Sequence, residues 1–196
     1  MFVNQKKDVN QKGMVVWLFG LSGAGKTTLS SLLKEKLEND GYNAIALDGD
    51  VLRQGINRDL SFSEADRQEN LRRAAEIAKI MLTNNMITIC SFITPLEKNR
   101  AMISNIIGES YFEVFVDCPL NICFKRDVKG LYKKAKANQI TDFTGIGSNF
   151  EVPENPDLVI STVHESPYES MRKIYSAITP RISLFLPKWD GVLSMR

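Results

Sequence analysis

The chain holds only three cysteines and one histidine among its 196 residues. Cys118 and Cys123 lack the paired C-x-x-C spacing of a zinc site and His164 stands alone, which argues against a structural metal. Cys90 and Cys118 fall in or beside apolar, strand-like runs, the pattern of a reduced cytoplasmic protein. Net charge is also small: 25 Lys and Arg against 23 Asp and Glu leave a formal +2. Nothing in that balance points to a nucleic-acid partner, so any basic function must be local. No apolar run reaches membrane-spanning length, and no membrane partner is expected. Residues 1–12 are polar, with Lys6, Lys7 and Lys12, and lack the apolar stretch of a signal peptide. They read as a mobile tail ahead of one domain over 13–196. With 43% apolar residues, a chain of this length can bury a real core.

What the chain does have is a glycine-rich loop. Gly20-Leu21-Ser22-Gly23-Ala24-Gly25-Lys26-Thr27 fits the phosphate-binding pattern G-x-x-x-x-G-K-S/T at each fixed position, and Thr28 follows. Glycines allow tight turns, so successive N–H groups can converge on an anion. Lys26 offers a point charge to the β- and γ-phosphates, and Thr27 a hydroxyl to phosphate-bound Mg²⁺. Met14–Phe19 before the loop has strand length and is apolar. Thr28–Asn39 behind it carries leucines at 29, 32, 33 and 37, a helical spacing that Gly41 can end. A flexible Gly/Ser turn would not have these flanks.

Further apolar runs, Asn43–Leu47, Met86–Ser91, Phe112–Asp117 and Leu158–Ser161, alternate with helical patterns. Ser63-Glu-Ala-Asp66 reads as a capping box opening a long helix, and another helix is expected from Pro95 to Ile107 with Thr94 as its cap. The expectation is an α/β, P-loop NTPase-like, three-layer fold: a central parallel sheet of about five strands with helices on both faces. Ligands of such sheets sit at the C-terminal strand ends.

The residues there are informative. Asp48-Gly-Asp50 follows the second run, with Arg53 beyond; the carboxylates suit metal binding or orientation of an acceptor hydroxyl. Asp117, ending the fourth run, rivals Asp48 as the metal-facing carboxylate. Arg67 and Asn70 share one helix face and could clamp a phosphate or sulfate, although a solvated charged helix explains them equally well. Arg126–Lys136 is basic, carries Gly130 as a hinge, and sits where phosphotransferases place a lid. Phe143, in a glycine-bearing loop, could stack on a purine.

Together these segments resemble the adenylylsulfate kinases. The likeness rests on the 20–28 loop, Leu47-Asp-Gly-Asp50, Arg53-Gln-Gly-Ile-Asn57, Phe62-Ser63, Asp66-Arg67, Glu69-Asn70 and Arg72-Arg73. It continues through Ser91-Phe-Ile93, Arg126–Ala135 and Phe143-Thr-Gly-Ile146, in the family's order. The resemblance implies ATP-dependent phosphorylation of the 3′-hydroxyl of adenylyl sulfate, with Mg²⁺. Residues 20–28 and Arg126 would hold ATP, with Lys26 and Asp48 catalytic and Thr27 and Asp48 at the metal. Asp48, Asp50, Arg53, Phe62, Arg67, Asn70, Ile93, Thr94, Lys129, Leu131 and Phe143 would line the adenylyl sulfate pocket, Phe62 and Phe143 sandwiching its adenine. The lid would span about 126–147. The resemblance also implies a homodimer, with any ATP sulfurylase that acts beside it on a separate chain. A kinase for another small hydroxylated substrate and a nucleotide-sensing module are the alternatives. Five positions depart from the family pattern: Val51 for Asn, Ser61 for Gly, Thr94 for Ser, Asp142 for Gly and Gly147 for Asp. Thr94 is not assigned as a nucleophile, because direct in-line transfer needs no covalent intermediate.

Overall fold

Alternation along β1 (Met14–Phe19) builds both sides of the molecule. In the computed structural model, which describes residues 10–137, 139 and 143–183, every residue of this strand is buried. Successive side chains of a strand point to opposite faces. Val16 and Leu18 therefore pack with Leu29, Leu33 and Leu37 of α1 (Lys26–Asn39) and with Ile174, Ile178 and Ile182 of α7 (Pro167–Ile182). Val15, Trp17 and Phe19 pack with Leu71, Ala74, Ala75 and Ala78 of α3 (Glu64–Thr83) and Ile103 and Ile107 of α4 (Glu97–Ile107).

The middle layer contains β2 (Ala44–Asp48), β3 (Ile87–Phe92), β4 (Tyr111–Asp117) and β5 (Leu158–Ser161) beside β1. It is a five-stranded sheet in the order β2-β3-β1-β4-β5, and all four pairings are parallel. The expected three-layer architecture is present. The chain leaves β1 for one side of the sheet and later crosses to the other, so the crevice opens at the C-terminal end of β1. Three short helices complete the rim: α2 (Gly49–Gln54), α5 (Leu120–Arg126) and α6 (Leu131–Lys136). No described helix is long and apolar enough to cross a membrane.

Local signals explain most element ends. After α1, Gly41 takes φ 92. Its N–H bonds Glu38 O at 3.1 Å and the Tyr42 N–H bonds Leu37 O at 2.9 Å, the paired bonds of a left-handed helix stop. Ser63 caps α3 through the Asp66 N–H, but only half of the expected box forms. The Asp66 carboxylate accepts instead from the backbone N–H and the hydroxyl of Ser61. The expected Thr94 cap is not made either: α4 begins at Glu97 after Leu96, without a side-chain cap. Thr94 accepts from the buried Trp17 indole at 2.9 Å, a donor that cannot be left without a partner.

Residues 1–9 of the expected tail lie outside the described residues. Gln11 does not behave as tail: it is 6% exposed. Its amide N–H groups donate to Asn43 O at 3.0 Å and Asn85 O at 2.5 Å, and its carbonyl accepts from Asn43 N at 2.6 Å. It thereby brackets the segments that lead into β2 and β3. A Gln11→Ala variant should lose about 1–3 kcal/mol of stability in urea titration, because buried backbone groups lose their partners. A residue in a loose tail would change it by less than about 0.5 kcal/mol.

Candidate active site

The end of β1 delivers the chain into the loop under steric control. Gly20 (φ 150), Gly23 (φ 76) and Gly25 (φ 108) all have positive φ. A Cβ on Gly20 would lie 2.4 Å from Val116 O, so this position accepts no larger residue without moving β4. The loop then opens α1, whose first residue is Lys26.

Lys26 is folded onto its own loop, its ammonium donating to Gly20 O at 2.9 Å and Leu21 O at 2.7 Å. Burial pushes its pKa down to about 8, and the Asp48 and Asp50 carboxylates offset part of that. Next to it, the Thr27 hydroxyl donates to Asp48 Oδ2 at 2.9 Å. Asp48 ends β2 and caps α2 by accepting from Asp50 N at 2.9 Å. A hydroxyl and a carboxylate in contact form a hard-oxygen donor pair, the chemistry that Mg²⁺ selects, so these residues fit the ion. Asp117 is placed differently: its backbone carbonyl accepts from Thr162 N at 3.1 Å, and it is not among the residues that line the cleft.

Across the cleft stands an arginine-rich shelf. The Arg53 guanidinium lies 4.4 Å from the centre of the Phe62 ring and donates to Ser61 O at 2.9 Å. Arg67 donates to Phe62 O at 2.8 Å and to Thr144 Oγ1 at 3.1 Å. Burial first, and the charge of Arg67 second, push the pKa of Arg53 down; an anion bound between the two would relieve that repulsion. Asn70 is buried and its Oδ1 accepts from Asn57 Nδ2 at 2.9 Å, which fixes its amide.

The segment from Arg126 closes the third side. Arg126 bonds Thr162 O at 2.7 Å and Thr162 Oγ1 at 3.1 Å. Asp127 caps α6 through the Tyr132 and Lys133 N–H groups, and the Tyr132 hydroxyl donates to Ser22 O at 2.9 Å. Gly130 precedes α6 in the left-handed region. Lys129 makes an ion pair with Asp50 across the cleft; both side chains are more than half exposed. Such a contact is worth about 0–1 kcal/mol, too little by itself to hold the two segments together.

One cavity of about 1100 Å³ joins the three sides. Ser22, Gly23, Gly25, Lys26, Thr27 and Thr28 line it from the loop. Asp48, Asp50, Arg53, Phe62, Arg67, Asn70, Ile93, Thr94, Arg126, Lys129, Leu131 and Phe143 line the rest. Gly20 and Ala24 are buried beneath the loop and Leu21 is partly buried against the core; none of the three lines the cavity. The two aromatic residues differ: Phe62 is 64% exposed and Phe143 is 7% exposed. Phe143 packs edge-on to Tyr132 at 4.9 Å, so only part of that ring is available to a ligand. Asp142 and residues 138, 140 and 141 of the expected lid lie outside the described residues. Thr162, Thr144 and Asn57 are contributors that the sequence reading gave no role. Thr162 follows the fifth apolar run, so the strand-end rule pointed to it.

Proton linkage at Lys26 gives a measurable sign. Its folded pKa lies below the unfolded 10.5, so the unliganded fold should gain stability as pH rises from about 8 toward 10.5. Bound phosphates favour the ammonium and reverse the shift. Affinity for a non-hydrolysable ATP analogue should therefore fall as pH rises through about 8, with proton uptake seen by calorimetry in buffers of different ionisation enthalpy.

Comparison with known proteins gives a consistent result. The family profile described as "Adenylylsulphate kinase" matches residues 12–161. An adenylyl-sulfate kinase of Halothermothrix orenii is 47% identical over 179 residues, covering 91% of this chain and 96% of that protein. The bifunctional enzyme NodQ of Rhizobium tropici is 50% identical over 159 residues, 81% of this chain but 25% of NodQ. Among solved structures, the Mycobacterium tuberculosis APS kinase CysC in complex with AMPPNP and APS superposes with a TM-score of 0.83. It is 42% identical and covers 85% of this chain and 98% of its own. With the loop, the Thr27–Asp48 pair and the arginine shelf assembled at the C-terminal ends of the strands, the chain belongs to the adenylylsulfate kinase family.

Proposed function

We propose that the chain transfers the γ-phosphoryl group of ATP to the 3′-hydroxyl of adenylyl sulfate, giving 3′-phosphoadenylyl sulfate and ADP. Family membership supports the reaction, and the observation that carries it is the Thr27–Asp48 pair facing the Arg53, Phe62 and Arg67 shelf. The loop amides and Lys26 hold the donor phosphates, with Arg126 beside them. Lys26 leaves its two carbonyls and follows charge as it develops on the transferred group. Mg²⁺, held by Thr27 and Asp48, would supply charge neutralisation between the donor phosphates. Asp48 also orients or deprotonates the acceptor hydroxyl. Arg67, Asn70 and Arg53 hold the acceptor's anionic part, and Phe62 and Phe143 grip its adenine. Lys129 and Leu131 close over it with Ile93 and Thr94, and the lid keeps water out.

The remaining assignments belong to the same proposal: a single kinase domain, its expected start at 13 moved back to Gln11 by that residue's contacts, running to 196 with its lid at about 126–147, a homodimer, and a cytoplasmic setting. Two arginines flanking an aromatic ring favour an anionic, aromatic acceptor over a neutral sugar.

A coupled assay with ATP and a panel of acceptors tests this. Adenylyl sulfate should be turned over and sugar acids and plain nucleosides should not. Asp48→Asn should lower kcat about 100-fold or more. Folded protein that binds ATP without turning over adenylyl sulfate would favour the nucleotide-sensing alternative.

A further inference from the structure

Thr94 is an unusual residue to find lining a cleft. It is β-branched, 1% exposed, and has φ 44. A β-branched side chain in the left-handed region persists only where its surroundings over-determine it. Three groups do so here. Gly20 N donates to Ile93 O at 3.3 Å. The fully buried Trp17 indole donates to Thr94 Oγ1 at 2.9 Å and is held in place by stacking on Phe92 at 4.8 Å. Arg100, 2% exposed on α4, donates from one nitrogen to Thr94 O and Pro95 O, each at 3.3 Å. Its other nitrogens face Glu97 at 2.6 Å and Glu113 at 3.7 Å, so the guanidinium is oriented from behind.

Trp17 lies on β1 just before the phosphate loop, and Thr94 lies just after β3 on the acceptor side. The indole bond and the Gly20–Ile93 bond therefore tie the donor segment to the acceptor segment directly. We propose that Trp17 and Arg100 are positioning residues, which hold the left-handed turn at Thr94 from inside the fold and thereby set the spacing between donor loop and acceptor. The Thr94 hydroxyl serves as an acceptor for the indole, a structural use of the group. The kinetic part of this inference rests on the adenylyl sulfate kinase reading.

The test has two arms. The first is hydrogen exchange of the Trp17 indole proton by NMR, assigned through its loss in Trp17→Phe. It should be strongly protected in the wild type and in Thr94→Ser, and exposed in Thr94→Val. The second is steady-state kinetics. Thr94→Val and Trp17→Phe should each lower kcat/KM for adenylyl sulfate about tenfold or more, with the KM for ATP within about twofold, since small misplacement of reactants is costly. Thr94→Ser, which keeps the oxygen that accepts from the indole, should recover most of the kcat/KM that Thr94→Val loses. An unprotected indole proton in the wild type overturns the proposal. So does a Thr94→Val or Trp17→Phe enzyme with unchanged acceptor kinetics, or one in which both substrates' constants move together. A wild type that fails to turn over adenylyl sulfate refutes the assigned reaction instead, and the exchange arm still judges the clamp.

Discussion

The cleft is referenced to β1, a strand with no exposed face. Burial on both faces demands a helical layer on each side, and the alternation of Val16 and Leu18 with Val15, Trp17 and Phe19 divides the core into those layers. Neither layer can shift without opening voids against this strand. The loop that follows inherits that rigidity, because Gly20 is pressed against the Val116 carbonyl. The positions of Lys26, Thr27 and, through its hydroxyl, Asp48 all follow from where β1 ends.

Each cation of the cleft already has a partner within the protein. Lys26 holds two loop carbonyls, Arg53 a carbonyl and a ring, Arg126 Thr162, and Lys129 Asp50. Ligand binding there is an exchange of partners rather than the capture of bare charges. That arrangement keeps the desolvation cost of the unliganded site low. It also leaves the side chains near their working positions, which limits the ordering entropy lost on binding.

Much of this was legible in the chain because steric and periodic rules are local. The loop glycines, the leucine spacing of α1, the Gly41 stop and the buried runs each act within a few residues. Asp48 was legible because strand ends converge in a parallel sheet, whereas Arg67 and Asn70, on α3, read from spacing alone equally well as a solvated helix face and, like Arg53, took a role only from the family resemblance. What escaped depended on contacts distant in sequence. The competition between capping and indole satisfaction at Thr94 involves a partner 77 residues away. Asp66 is the local exception: it turned from the capping box to Ser61, five residues before it, where two donors outweighed one. Gln11 looked like tail because its partners, Asn43 and Asn85, are separated from it by 32 and 74 residues. The burial of Phe143 likewise depends on Tyr132, itself positioned by Ser22.

The Gln11 bracket has a topological consequence. Gln11 pairs with Ser183 as an isolated antiparallel bridge, and Lys12 N donates to Ile182 O at 2.8 Å. The first and last described stretches of chain are thus stitched together at the N-terminal edge of the sheet, about 20 Å from the phosphate loop by the rise of a six-residue strand. Both ends of the described chain therefore lie on the side of the sheet away from the cleft, and the backbone pairing there closes the domain at its back.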